Sequence, residues 1–123
     1  MEKSVFQYKV APKQVDFTRR LSVSSTFDII LGAAGDDAHS RGFGVDALAQ
    51  NNYGWVLSRI CFELDYLPQE YSEFTLYTWI SDYNRLSSTR NFELVDAEGR
   101  EFGRAVSQWC MLNMESRQVV DMS

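Results

Sequence analysis

Only one segment of this chain repeats its apolar residues at helical spacing, and most of the sequence downstream of it repeats them at the spacing of a strand. In SSTFDIILGAAGDDAHSRG, Phe27, Ile30, Leu31 and Ala34 follow the i, i+3, i+4, i+7 rule, and Ala38 extends the stripe. Ser25 with Asp28 three residues later resembles a capping box, and Gly42 is a natural stop. Gly32, Ala33, Ala34 and Gly35 make this helix slim enough for another backbone to approach closely. The plainer reading is a core helix that tolerates its glycines, at about 1 kcal/mol each against alanine. Upstream, Phe6 to Leu21 reads as extended structure broken at Ala11-Pro12-Lys13, with apolar side chains at 6, 8 and 10. Val45 to Asn51 has room for a second short helix.

After Gly54 the period is two. Val56, Ser58, Ile60, Phe62, Leu64 and Tyr66 share one face, with Leu57, Arg59, Cys61, Glu63 and Asp65 on the other. LPQEYS is a turn around Pro68. Phe74, Leu76, Thr78 and Ile80 mark the next apolar face, and Tyr77, Trp79 and Tyr83 lie opposite. Arg90, Phe92 and Leu94 oppose Asn91, Glu93 and Val95, and Asp96-Ala97-Glu98-Gly99 is a hairpin turn. The next strand, RAVSQWCMLNMESRQ, is apolar at every position from Trp109 to Leu112, so it needs cover on both faces. Val119-Val120 is positioned to begin a further segment.

One long helix beside a meander of long strands predicts an α+β domain. A curved antiparallel sheet of about five strands wraps the helix, which covers its concave face. Tyr77, Trp79, Cys110 and Leu112 make the convex face partly apolar, which marks an interface.

The chain has 123 residues, enough for one domain with a modest core, and most of its 17 aromatics follow Asn52. The net charge of −5 argues against a general nucleic-acid binder, which needs a dominant basic surface. Cys61 and Cys110 sit in apolar strand-like runs and read as buried free thiols in a reducing compartment. A reactive nucleophile is the alternative, but there is no CxxC. A single histidine gives no metal-ligand spacing, and no cofactor is expected. No signal peptide or membrane-spanning run is visible, which leaves the cytoplasm as the default.

The run from Trp55 to Arg117 resembles the N-terminal half of acyl-acyl carrier protein (acyl-ACP) thioesterases. Its parts are Trp55-Val56-Leu57-Ser58-Arg59, an alternating acidic and apolar stretch to Tyr66-Leu67-Pro68, and then Thr78-Trp79 and Thr89-Arg90-Asn91-Phe92. Gly103-Arg104-Ala105-Val106-Ser107-Gln108-Trp109 comes next, with Met111, Asn113 and Arg117 downstream. No single motif is specific, but their order and spacing together are. The resemblance implies a hot-dog fold, in agreement with the periodicity. It also implies a tandem protein, in which a first hot-dog domain shapes the acyl pocket and a second carries an Asn-x-His motif and a further acid. Residues 1–123 are then one hot-dog domain, a truncated or domain-sized piece without the catalytic half, and no catalytic residue is carried over. Gln50-Asn51-Asn52-Tyr53 echoes the sequence after the catalytic histidine, but no histidine precedes it at the right spacing.

On this resemblance the core and the acyl pocket are one region, and the substrate-binding candidates are Ile30, Leu31, Ala34, Ile60, Phe62, Trp109 and Asn113. Asn113 is either a polar residue near a strand end or a contact to the carrier arm. Arg85, Arg90, Arg100 and Arg104 are either solvated strand residues or a basic patch that steers the acidic carrier. His39 with Asp36 or Asp37 could form an acid–base pair, while the plainer reading is a histidine favoured by the helix dipole. Three functions are compatible with these residues. The first is the acyl-pocket domain of an enzyme that hydrolyses acyl-ACP to free fatty acid. The second is a free-standing homodimeric hot-dog thioesterase using Asp37 and His39, and the third is a non-catalytic binder of acyl chains or carrier protein. The apolar convex face predicts a homodimer, with no nucleic-acid or membrane partner.

Overall fold

A computed structural model describes residues 3–41, 44, 48, 52–84 and 86–121. The elements run β1 (Ser4–Lys9), a 3₁₀ turn (Pro12–Gln14), α1 (Val23–Ser40), β2 (Tyr53–Leu64), β3 (Glu73–Tyr83), β4 (Ser88–Asp96), β5 (Glu101–Asn113) and β6 (Gln118–Val119). The antiparallel sheet has the order β1-β3-β4-β5-β2, with β6 paired to β5. Strand β6 joins β5 at Leu112 and Asn113, beyond the point where β4 begins opposite Trp109. The expected helix, meander and hairpin are all present, and the second helix at 45–51 falls outside the described residues apart from Leu48.

The helix starts earlier than its capping signature suggests. Ser22 is the N-cap, and its hydroxyl accepts from the Ser25 backbone N–H at 3.1 Å, so the Ser25–Asp28 box does not form. Arg41 caps the other end. The helix buries Thr26, Ile30, Ala33, Ala34 and Asp37. Its glycines lie outside this stripe. A Cβ on Gly32 or Gly35 would meet no atom within 4 Å, so neither glycine serves a close backbone approach. Ala33 and Ala34 are the small residues that face the sheet.

The hydrophobic core gathers at the Asp96–Gly99 hairpin end. Phe74, Leu76, Phe92, Leu94 and Phe102 are at most 2% exposed, with Val10, Leu21 and Ile30 packed among them. Phe74 stacks on Tyr8 at 5.4 Å and meets Phe102 edge-on at 5.6 Å. The hairpin itself closes through Gly99, whose φ of 85° suits a residue without a side chain.

Strand β2 departs from simple alternation. Its pairing with β5 shifts between Leu57 and Arg59, where a bulge inserts one residue. Trp55 and Leu57 oppose Met111 and Trp109, while Ile60 and Phe62 oppose Ser107 and Ala105. The bulge therefore puts Trp55 and Leu57 on the same inner face as Ile60 and Phe62. Val56 is turned to the outer face, opposite the sequence expectation, and Ser58 is exposed.

The two faces of the doubly apolar strand are distinct: Trp109 and Met111 line the inner side, and Cys110 and Leu112 point outward. Neither cysteine is fully buried, contrary to expectation. Both thiols are free, Cys61 is exposed, and Cys61 and Cys110 lie on the outer face opposite Val106 and Val56.

Candidate functional site

Beyond the packed core, helix and sheet separate. The C-terminal half of α1 presents Leu31, Ala34, Gly35 and Ala38 to this space, again at i, i+3, i+4, i+7. The sheet contributes Trp55 from β2, Ile80 from β3, Ser88 and Arg90 from β4, and Trp109 and Met111 from β5; Gly44 completes the lining. Small helix residues facing two indoles leave a cavity of about 390 Å³. That lies toward the small end of ligand sites. Among the described lining residues there is no carboxylate, histidine or thiol to activate water, so these walls can hold an apolar chain but supply no base.

A cluster of buried polar groups adjoins this cavity, which meets the core directly at Ala34 and Trp109. Asp37 Oδ2 accepts from Arg90 Nη1 at 2.6 Å, and the same nitrogen donates to Thr78 Oγ1 at 3.1 Å. Arg41 Nε reaches both Asp37 oxygens, at 3.2 and 3.3 Å, and the Ser4 hydroxyl donates to Oδ1. Ser107 donates to the Arg90 carbonyl at 3.2 Å and accepts from Trp109 Nε1 at 2.8 Å. Asp37, Thr78, Arg90 and Ser107 are at most 5% exposed. Burial pushes the Asp37 carboxyl up, but hydrogen bonds from Ser4, Arg90 and Arg41 outweigh it and hold the group below the usual carboxylate value.

The structure sorts the sequence candidates. Leu31, Ala34 and Trp109 line the cavity. Ile30 is sealed in the core, and Ile60 and Phe62 pack against that core outside the cavity walls. Asn113 stands at the end of β5, where its side-chain oxygen accepts from the N–H groups of Glu115 and Ser116 and shapes the turn to β6. Arg90 is corrected: its charge is buried and paired, so it cannot present a basic surface. Arg104 lies within reach of Asp65, Glu101 and Glu63, and its first two partners raise its pKa. Arg100 is the exposed one, 74% accessible with Asp96 at 3.9 Å, and Arg85 is outside the described residues. The Asp37–His39 pairing is also corrected, because Asp37 is engaged by Ser4, Arg41 and Arg90 while His39 is exposed at the helix end.

Sequence reasoning missed Gly35, Ala38, Gly44, Trp55, Ile80, Ser88, Arg90 and Met111 as lining residues. Met111 was recoverable, since it shares a strand face with Trp109. Trp55 was hidden by the bulge, which has no signature in sequence alternation.

The sequence pattern of the acyl-ACP thioesterase N-terminal domain matches residues 3–123. The chain belongs to the acyl-ACP thioesterase family. It is 25% identical over 117 residues to the chloroplastic oleoyl-acyl carrier protein thioesterase of Coriandrum sativum, covering 89% of this chain and 32% of that protein. The crystal structure of an acyl-ACP thioesterase from Bacteroides thetaiotaomicron superposes with a TM-score of 0.92 at 38% identity, over 96% of this chain and 49% of that one. A probable thioesterase from Bartonella henselae shares the fold alone, with a TM-score of 0.88 at 15% identity over 99% of this chain and 100% of its own. The architecture is thus the hot-dog fold of thioesterases. Within this family the chain spans about a third to a half of the relatives it matches. Among the described residues no helix is long and apolar enough to cross a membrane.

Proposed function

We propose that this chain is the acyl-binding domain of an enzyme that hydrolyses acyl-ACP to free fatty acid during fatty acid biosynthesis. The cavity between α1 and the sheet carries the reading: its lining is apolar except for Ser88 and Arg90, and it lies in a chain that matches the family's N-terminal domain. On this reading residues 1–123 are the first of two hot-dog domains, and the catalytic groups belong to the second. The protein works in the cytoplasm without a cofactor. Steering of the acidic carrier falls to Arg100, whose charge stays exposed. The outer sheet face, with Val5, Val56 and Val106 about half exposed, pairs two copies as a homodimer.

Calorimetric titration with dodecanoyl-N-acetylcysteamine, a thioester that mimics the carrier arm, tests the reading. Saturable binding without thiol release is expected. Failure to bind removes the acyl-pocket role, and hydrolysis abolished by a substitution inside this chain removes the non-catalytic one. A free-standing homodimeric thioesterase is the second reading, favoured by the match along the full length of the Bartonella henselae chain. Turnover by the isolated chain that disappears in His39→Ala would select it.

A further inference from the structure

Arg90 does more than a structural tie requires. Its side chain is 6% exposed, yet it lines the cavity. Neighbouring positions on the same face of β4 fix where it stands: Ser88 also lines the cavity, and Phe92 is 1% exposed in the core. The guanidinium therefore marks the inner end of the cavity. Nη1 alone makes the contacts to Asp37 and Thr78. Nε and Nη2, which carry three of the five N–H groups of an arginine, have no acceptor among the described residues. No described side-chain nitrogen or oxygen is sealed away without a partner, so these free donors open onto the cavity. A lysine would satisfy Asp37 equally; the planar fork adds donors aimed elsewhere.

A fully saturated acyl chain pushed against these N–H groups would strip them of water and return nothing, a cost that a single acceptor oxygen removes. The thioester end must stay at the open side, where a carrier arm can reach it, so the far end of the chain meets Arg90. We infer that Arg90 is a specificity-determining residue, and that the preferred acyl chain carries a hydroxyl on its distal half. This inference rests on the acyl-pocket reading above. It makes the cavity selective rather than merely greasy, because a site with built-in donors discriminates strongly against the analogue that lacks the oxygen.

The test compares dodecanoyl- and 12-hydroxydodecanoyl-N-acetylcysteamine by calorimetric titration of the whole chain. The hydroxylated thioester is expected to bind about tenfold more tightly, as one hydrogen bond to a charged donor provides. In Arg90→Lys, which keeps the charge opposite Asp37 but loses the fork, the two affinities should converge. Equal or weaker binding of the hydroxylated thioester by the wild type overturns the inference alone, whether or not the variant folds. A preference that persists in Arg90→Lys overturns it too. Binding of neither thioester overturns the acyl-pocket reading and this inference with it.

Discussion

Asp37 is the residue on which the interior depends most. Its carboxylate joins β1 through Ser4, β4 through Arg90 and the helix end through Arg41. Removing one member of a buried pair strands the other, so Asp37→Ala should cost about 3–5 kcal/mol in urea denaturation. Asp37→Leu combined with Arg90→Met should recover most of that loss, because neither charge is left alone. If the double variant is as unstable as Asp37→Ala, the pair is not the source of the effect. The pH dependence has a definite sign. A carboxyl whose folded pKa lies below its unfolded value of about 3.9 stabilises the fold above that value. The contribution is lost as pH falls through the folded pKa. Wild-type stability should thus decline below about pH 4, and Asp37→Asn should flatten part of that decline. Little of this network was legible in the sequence. The helical stripe of Phe27, Ile30, Leu31, Ala34 and Ala38 passes on either side of Asp37, which in sequence reads only as a candidate partner for His39. Arg90 likewise reads as a strand charge until the register places it opposite Ile80 and Ser107 on the inner face.

At the scale of elements, period was informative and its interruptions were not. The long helix α1, the four long strands after it and the Asp96–Gly99 turn were all legible, because each imposes its own spacing on apolar residues. The β2 bulge was not, because one inserted residue leaves alternation intact on both sides and only exchanges the faces between them. Glycine was ambiguous for a similar reason: a missing side chain signals either close contact or open space. Gly103 and Gly35 show the two cases. A Cβ on Gly103 would sit 2.8 Å from Leu64 Cδ2 and 3.0 Å from Leu94 Cδ1, whereas one on Gly35 would meet nothing within 4 Å. Gly103→Ala should destabilise by about 1–3 kcal/mol through overpacking. Gly35→Ala should stabilise by roughly 0.5–1 kcal/mol through helix propensity. Thermal melts of the two variants should move in opposite directions. A shift in the same direction would mean that backbone context, not local space, sets their cost.

At the scale of the whole molecule, the sheet has one face committed to the helix and one that is not. The outer face carries Val5, Val56 and Val106 at 52, 39 and 45% exposure, together with Cys110 and Leu112. Light scattering at micromolar concentration should give the mass of a dimer, and Val56→Asp with Val106→Asp should return a monomer. A monomeric wild type counts against self-association through this face. Inside the sheet, the layer of Asp37, Thr78, Arg90 and Ser107 partly divides the interior, which stays continuous through Ala34 and Trp109. The aromatic cluster around Phe74, Phe92 and Phe102 lies on one side, and the space bounded by Leu31, Trp55 and Met111 lies on the other. Ala34 and Trp109 touch both sides, so free energies should add for pairs of changes that leave those two residues alone. A lineage built on this plan can therefore alter which ligand fits without disturbing the residues that set its melting temperature.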